Sequence, residues 1–211
     1  MLFRSLHRQK ALDLSTVQQL VLDEADEMLD LGFLPDVEKI FSLTPNRTQT
    51  MLFSATMPGD VVVLARKFLN QPTHIRAQEE DSGAVVKNIS QFIYRTHALD
   101  KAEIVSRILR AEGRGQTMIF CRPKRTCQQL SDDLKERGFK SAAIHGDLGQ
   151  AARERALSDF KSNKRDVLVA TDVAARGIDI DGITHVINYQ CPEDEKTFLH
   201  RIGRTARGGA S

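Results

Sequence analysis

Short apolar runs and longer segments of helical period succeed one another along this chain, and that alternation limits its fold more than any other feature. The apolar runs predict strands at Gln19–Leu22, Thr50–Phe53, Thr73–Arg76, Ile89–Arg95, Thr117–Cys121, Ser141–Ile144, Asp166–Ala170 and His185–Tyr189. Between most of them lie helical stretches: Pro58–Leu69, Lys101–Ala111, Pro123–Arg137, Ala151–Lys161 and Glu195–Arg204. Asp100 is a suitable helix start before Lys101, and Gly138 a suitable stop after Arg137. Strand, helix, strand at this spacing calls for an α/β fold, a parallel sheet covered by helices.

One polar stretch interrupts the rhythm. Residues 77–88 (AQEEDSGAVVKN) are acidic and contain a glycine, and they fall where the charge changes sign. Residues 1–84 carry a net −4 and residues 85–211 a net +6. The expected organisation is two α/β units, 1–76 and 89–211, joined by a linker at 77–88, with the second the one to meet a polyanion. At 211 residues the chain is long enough for two small domains. Its longest apolar runs, such as Met51–Phe53 and Val61–Ala65, fall far short of the roughly 20 residues a membrane span needs. The opening segment has no signal-peptide character, and Cys121, Cys127 and Cys191 are too few and too scattered for a disulfide framework or a zinc site. The expectation is a cytoplasmic protein.

Chemistry-bearing residues cluster after the predicted strands, where ligands gather in open parallel sheets. Asp23-Glu24-Ala25-Asp26 follows Leu20–Leu22. Carboxylates there can hold hydrated Mg²⁺ and orient a water for attack on a phosphate, or they can complement the dipole of a first helical turn. Ser54-Ala55-Thr56 can bond those acids, or cap the helix opening near Pro58. Thr171 and the turn after it form a suitable phosphate cradle. His145-Gly146-Asp147 precedes Gln150 and Arg153, and His145 reads as a core histidine. In His200–Arg207 (HRIGRTAR), Arg204 and Arg207 are three apart, so on a helix they share a face and can receive a phosphoryl group; otherwise they are an exposed basic helix end.

Taken in order, these words resemble the motifs of the DEAD-box ATP-dependent RNA helicases of superfamily 2, and look closest to the bacterial RhlE-like branch. Leu22–Asp26 resembles motif II, Ser54–Thr56 motif III, and Ile119–Arg122 motif IV with its following Gln150-x-x-Arg153 element. Ala170–Asp179 resembles motif V and His200–Arg207 motif VI, with Ala206 where the family usually has glycine. The resemblance runs from about Gln18 to Gly208. It implies two RecA-like parallel-sheet lobes, the first incomplete, that bind ATP with Mg²⁺ and single-stranded or structured RNA, as a monomer. Residues 1–76 would be the C-terminal part of the ATP-binding lobe, and 89–211 the second lobe without its last strand. Asp23 would hold Mg²⁺ through water and Glu24 position the attacking water. Asp26, Ser54, Thr56 and His200 would couple the lobes. Arg204 and Arg207 would be arginine fingers, with Gly177 and Asp179 at the nucleotide. Arg122, Gly146, Gln150, Arg153, Thr171 and Arg176 would grip RNA. No G-x-x-x-x-G-K-[ST] loop occurs in the sequence. The expectation is therefore a fragment of a helicase whose isolated chain is not a competent ATPase, the alternative being a non-catalytic RNA- or partner-binding module. Residues 1–76 are expected to expose apolar faces and an unpaired sheet edge.

Overall fold

The computed structural model describes residues 6–76, 89–175, 178, 180 and 182–205. The chain divides into two compact units, Met1–Ala77 and Gln78–Ser211. The first contains β1 (Gln19–Leu22), α1 (Ala25–Asp30), α2 (Leu34–Leu43), β2 (Gln49–Leu52) and α3 (Gly59–Phe68). In the second, a 3-10 turn at Ala98–Asp100 leads into α4 (Lys101–Ile108), β3 (Gln116–Phe120), α5 (Lys124–Glu136) and β4 (Ser141–Ile144). There follow α6 (Gln150–Lys161), β5 (Val167–Ala170), α7 (Asp172–Ala175), β6 (Ile183–Asn188) and α8 (Glu195–Ile202). No helix among the described residues is long and apolar enough to cross a membrane.

The second unit is built on a four-stranded sheet in the order β4-β5-β3-β6, with every neighbouring pair parallel. Its two central strands are apolar through Met118–Phe120 and Val167–Ala170, because helices bury both of their faces. β5 (VLVA) is buried at all four positions. Alternate residues feed different cores, as the period of two requires. Met118, Phe120, Leu168 and Ala170 pack with Ile144 and Phe160 on one side. Ile119, Cys121, Val167 and Val169 pack with Leu130 and Leu134 of α5 on the other. Helix α5 ends at Glu136 with Arg137 as its cap, after which Gly138 takes the left-handed conformation (φ +90°) that glycine adopts without steric cost.

The first unit is smaller. β1 and β2 pair in parallel, Leu22 opposite Leu52. One face packs on Val37, Phe41 and Leu64, with the Phe41 and Phe68 rings stacked 4.1 Å apart. Val21 and Phe53 remain half exposed.

Two predicted strands are not strands. Thr73–Arg76 and Ile89–Arg95 join no ladder among the described residues, and Ile93 is 98% exposed. An alternating apolar pattern announces a strand only when a partner edge is within reach, and neither segment has one there. Helix α1 realises the helical turn offered for Asp23–Asp26, and α2 and α7 are additional to the sequence reading.

Helix α8 begins with a side-chain cap. The Asp194 carboxylate accepts the Thr197 backbone N–H at 2.7 Å and its hydroxyl at 2.8 Å. These bonds, the backbone one first, hold its carboxyl below the usual range near 3.8. A depressed carboxylate stabilises the fold above its unfolded pKa and loses that contribution as pH falls through the folded value. Asp194→Ala is accordingly expected to lower the thermal midpoint by a few degrees at pH 7, with the gap closing toward pH 3 in parallel melts. A gap that widened on acidification would contradict the cap.

Candidate functional site

In the first unit, the carboxyl end of β1 delivers Asp23 and Glu24 to the surface, both exposed. Asp23 accepts the Glu24 backbone N–H at 2.9 Å. Glu24 adopts φ 51°, ψ 45°, a left-handed conformation unusual for a residue with a side chain, and from it opens α1. That backbone turn follows the neighbouring strand, since Ala25 N–H donates to Phe53 O at 3.0 Å and Phe53 N–H to Leu22 O at 2.7 Å.

Asp26 lies beneath, 1% exposed. One carboxylate oxygen accepts the Thr56 hydroxyl at 2.5 Å and the Thr56 backbone N–H at 3.1 Å. The Ser54 hydroxyl accepts the Asp26 backbone N–H at 3.2 Å and donates to Thr56 O at 2.6 Å. Of the two sequence readings for Ser54 and Thr56, bonding the acids is the one realised: α3 has Pro58 at its cap position and no side-chain cap bond. These bonds, centred on buried Asp26, fix the loop after β2 to the start of α1, beside the exposed pair.

In the second unit, the carboxyl ends of β3, β4, β5 and β6 form a polar rim. Arg122 follows β3; its backbone N–H donates to Gln190 Oε1 at 2.8 Å and its guanidinium pairs with Glu193. Lys124 opens α5 and meets Asp147 at 2.6 Å. Gly146 is exposed beside that pair. Gln150, also exposed, donates to Glu154 at 2.8 Å. Arg153 keeps its Nε buried without a hydrogen-bond partner. His145 is buried, with Nε2 3.0 Å from Gln128 Oε1 and Nδ1 unpartnered, a core histidine satisfied on one side. Thr171 is buried too, and its N–H is taken by Ile144 O at 3.2 Å, so that group cannot join a phosphate cradle.

The sequence reading did not single out Arg201 and Asp172. Arg201 is 1% exposed. Its guanidinium holds both Asp172 carboxylate oxygens, at 2.6 and 2.8 Å. It also donates to Asn188 Oδ1 at 2.9 Å and to Gln190 O at 2.8 Å, and lies over the Phe120 ring. One side chain therefore ties α8 to α7 and to the end of β6. Its sequence signal is its spacing: Phe198, Arg201 and Ile202 share one helical face, so a charge sits on the stripe that packs inward.

Arg204 departs from expectation. Helix α8 ends at Ile202, and Gly203 closes it with N–H bonds to Arg201 O and Leu199 O. Arg204 therefore lies beyond the helix and donates to Ile178 O at 2.8 Å, so the premise that it shares a helical face with Arg207 does not hold at its end of the pair. His200 is half-buried near the end of α8. Arg176, Gly177, Asp179, Ala206, Arg207 and the linker 77–88 lie outside the described residues.

No group of three or more metal-ligating side chains forms among the described residues. The exposed Asp23–Glu24 pair suits a cation that keeps most of its water and shares the rest of its shell with phosphate, as Mg²⁺ does. The cysteines are free. Burial pushes the Cys121 thiol up to about 12 and Cys127 to about 11, which removes both from thiolate chemistry at neutral pH.

The DEAD/DEAH box helicase model matches residues 1–64, and the helicase conserved C-terminal domain matches residues 100–209. The ATP-dependent RNA helicase CshA of Listeria monocytogenes is 46% identical over 201 residues, covering 95% of this chain and 38% of its own. The DEAD-box ATP-dependent RNA helicase CshA of Bacillus licheniformis is 44% identical over 201 residues, covering 95% and 41%. The chain thus spans about two fifths of the length of these relatives. Among solved structures, S. cerevisiae Dbp5 bound to RNA and ADP BeF3 aligns with TM-score 0.78 at 32% identity, over 97% of this chain and 54% of that one. A DEAD box protein from the hyperthermophile Methanococcus jannaschii aligns with TM-score 0.55 at 38% identity, over 98% and 55%. Both units have the RecA-like α/β architecture of those helicases, and the chain belongs to the DEAD-box helicase family.

Proposed function

We propose that this chain is part of an ATP-dependent RNA helicase, a cytoplasmic monomer that couples ATP hydrolysis to RNA unwinding and remodelling. The observation that carries this reading is the exposed Asp23–Glu24 pair at the end of β1, backed by buried Asp26 and its bonds to Ser54 and Thr56. Mg²⁺-ATP, when bound, supplies the phosphoryl group and neutralises its charge. Asp23 holds the hydrated ion through water, and Glu24 orients the attacking water and takes its proton. Asp26, Ser54, Thr56 and His200 carry the state of that site to the rest of the protein. Arg204 and Arg207 stabilise charge developing on the phosphoryl group, Arg204 exchanging its bond to Ile178 for one to phosphate. Gly177 and Asp179 are the further nucleotide contacts of this proposal.

The rim of the second unit grips the RNA backbone. Arg122, Arg153 and Arg176 offer cations, while Gly146, Gln150 and Thr171 offer close approach and hydrogen bonds. The sequence has no tryptophan and two tyrosines, so base stacking is a small part of the contact.

The test is phosphate release from Mg²⁺-ATP by the intact protein, with and without single-stranded RNA. Release stimulated many-fold by RNA is expected. RNA binding that is salt-sensitive yet indifferent to ATP, with no release, would instead assign a non-catalytic binding module.

A further inference from the structure

The two cations best placed at the rim of the second unit are not open. Arg122, at the end of β3, is paired with Glu193 from the loop after β6. Lys124, at the start of α5, is paired with Asp147 from the loop after β4. In each case the cation and the carboxylate come from different loops at the same end of the sheet, 71 and 23 residues apart in sequence. All four side chains are substantially exposed, from 48% for Arg122 to 72% for Glu193. A phosphate that approaches either cation therefore competes with the carboxylate already on it.

We propose that Glu193 and Asp147 are competing anions built into the RNA-binding rim, occupying Arg122 and Lys124 until a phosphodiester backbone displaces them. This rests on the reading that the rim binds RNA. Exposed ion pairs are weak, so the carboxylates lower affinity without abolishing it. They raise the threshold for dispersed anions and favour a strand that offers several phosphates at once. Each freed carboxylate also takes up counterions when RNA binds, which offsets part of the counterion release from the RNA. The backbone bond from Arg122 N–H to Gln190 Oε1 keeps the strand end beside the loop that supplies Glu193, so the pair does not depend on the two side chains alone.

The experiment measures equilibrium binding of a fluorescent ten-nucleotide oligouridylate to the intact protein over a range of salt. Glu193→Gln is expected to bind about two- to fivefold tighter at low salt, the size of an exposed ion pair. Its log–log salt slope should steepen by up to about 0.7, one single-strand phosphate contact. Asp147→Asn should behave alike. Exposed Glu136, about 18 Å away along α5 from Lys124, provides the charge control, and Glu136→Gln should change little. In an Arg122→Ala background the gain from Glu193→Gln should vanish. If Glu193→Gln is no tighter while Arg122→Ala weakens binding, the competing-anion proposal fails and RNA gripping stands. A gain that persists without Arg122, or that Glu136→Gln matches, overturns it as a general field effect. If Arg122→Ala leaves binding unchanged, the reading of the rim fails as well.

Discussion

Replacing Glu24 by glutamine in the intact protein is expected to slow RNA-stimulated phosphate release by about 10²–10⁴-fold, the usual contribution of a positioned general base. The amide keeps the shape and length of the carboxylate but cannot take a proton from water. The side chain is exposed, so the substitution leaves no buried group unsatisfied. The backbone at φ 51° is set by the Ala25–Phe53 and Phe53–Leu22 hydrogen bonds, which do not involve the side chain. Thermal stability should therefore stay within about 0.5 kcal/mol of the parent. RNA binding with ATP present should persist, since the cations of the second unit are untouched. The left-handed backbone at a non-glycine residue also suggests a companion variant. Glu24→Gly should fold at least as stably, because glycine adopts this conformation without strain, and should be as inactive as Glu24→Gln. Phosphate release within tenfold of the parent in Glu24→Gln would remove Glu24 from the role of base.

The second unit was legible in sequence where burial is two-sided. The apolar cores of β3 (Met118–Phe120) and β5 (Val167–Ala170) leave few alternatives, and both strands are found within a residue or two of the prediction. Helix α2 was not legible, because Pro35 near its start reads as a breaker, although a proline is tolerated in the first turn where its missing N–H is not needed. Ile89–Arg95 shows the opposite failure: Phe92, Ile93 and Tyr94 have strand composition and stand exposed. Composition reports a residue's preference for burial, and pairing depends on an edge elsewhere in the chain. The site followed the same division. Asp23, Glu24 and Asp26 were visible as one contiguous word after a strand. The bond from Asp26 to Thr56 was foreseen from the hydroxyls after the second strand, whereas the bond from Arg201 to Asp172 joins residues 29 positions apart and no local pattern encodes that partnership.

Arg201→Ala is expected to destabilise the second unit by about 3–5 kcal/mol, the cost of breaking a buried ion pair by removing one member. The deletion empties a site 1% exposed, and leaves Asp172, Asn188 Oδ1 and Gln190 O without the donor that served all three. The Asp172 side chain is 27% exposed and can recover some hydration, which places the loss toward the lower end of that range. A fall in thermal midpoint of roughly 10 °C is the corresponding observable. Lysine is not a conservative replacement here. It retains one charge but cannot reach both carboxylate oxygens, Asn188 and Gln190 together, so Arg201→Lys should recover only part of the loss. Asp172→Asn separates charge from geometry: it keeps an acceptor for the guanidinium but leaves Arg201 buried without a counter-charge, and should cost more than an exposed Asp→Asn change. The functional consequence follows from position. Arg201 fixes the last turn of α8 against α7 and β6, and Arg204 begins three residues later with its guanidinium on Ile178 O. Loosening that turn should impair phosphate release even at temperatures where Arg201→Ala remains folded. A loss below about 1 kcal/mol in thermal or urea unfolding would show that the buried network is replaceable, and that α8 is held by Phe198 and Ile202 packing alone.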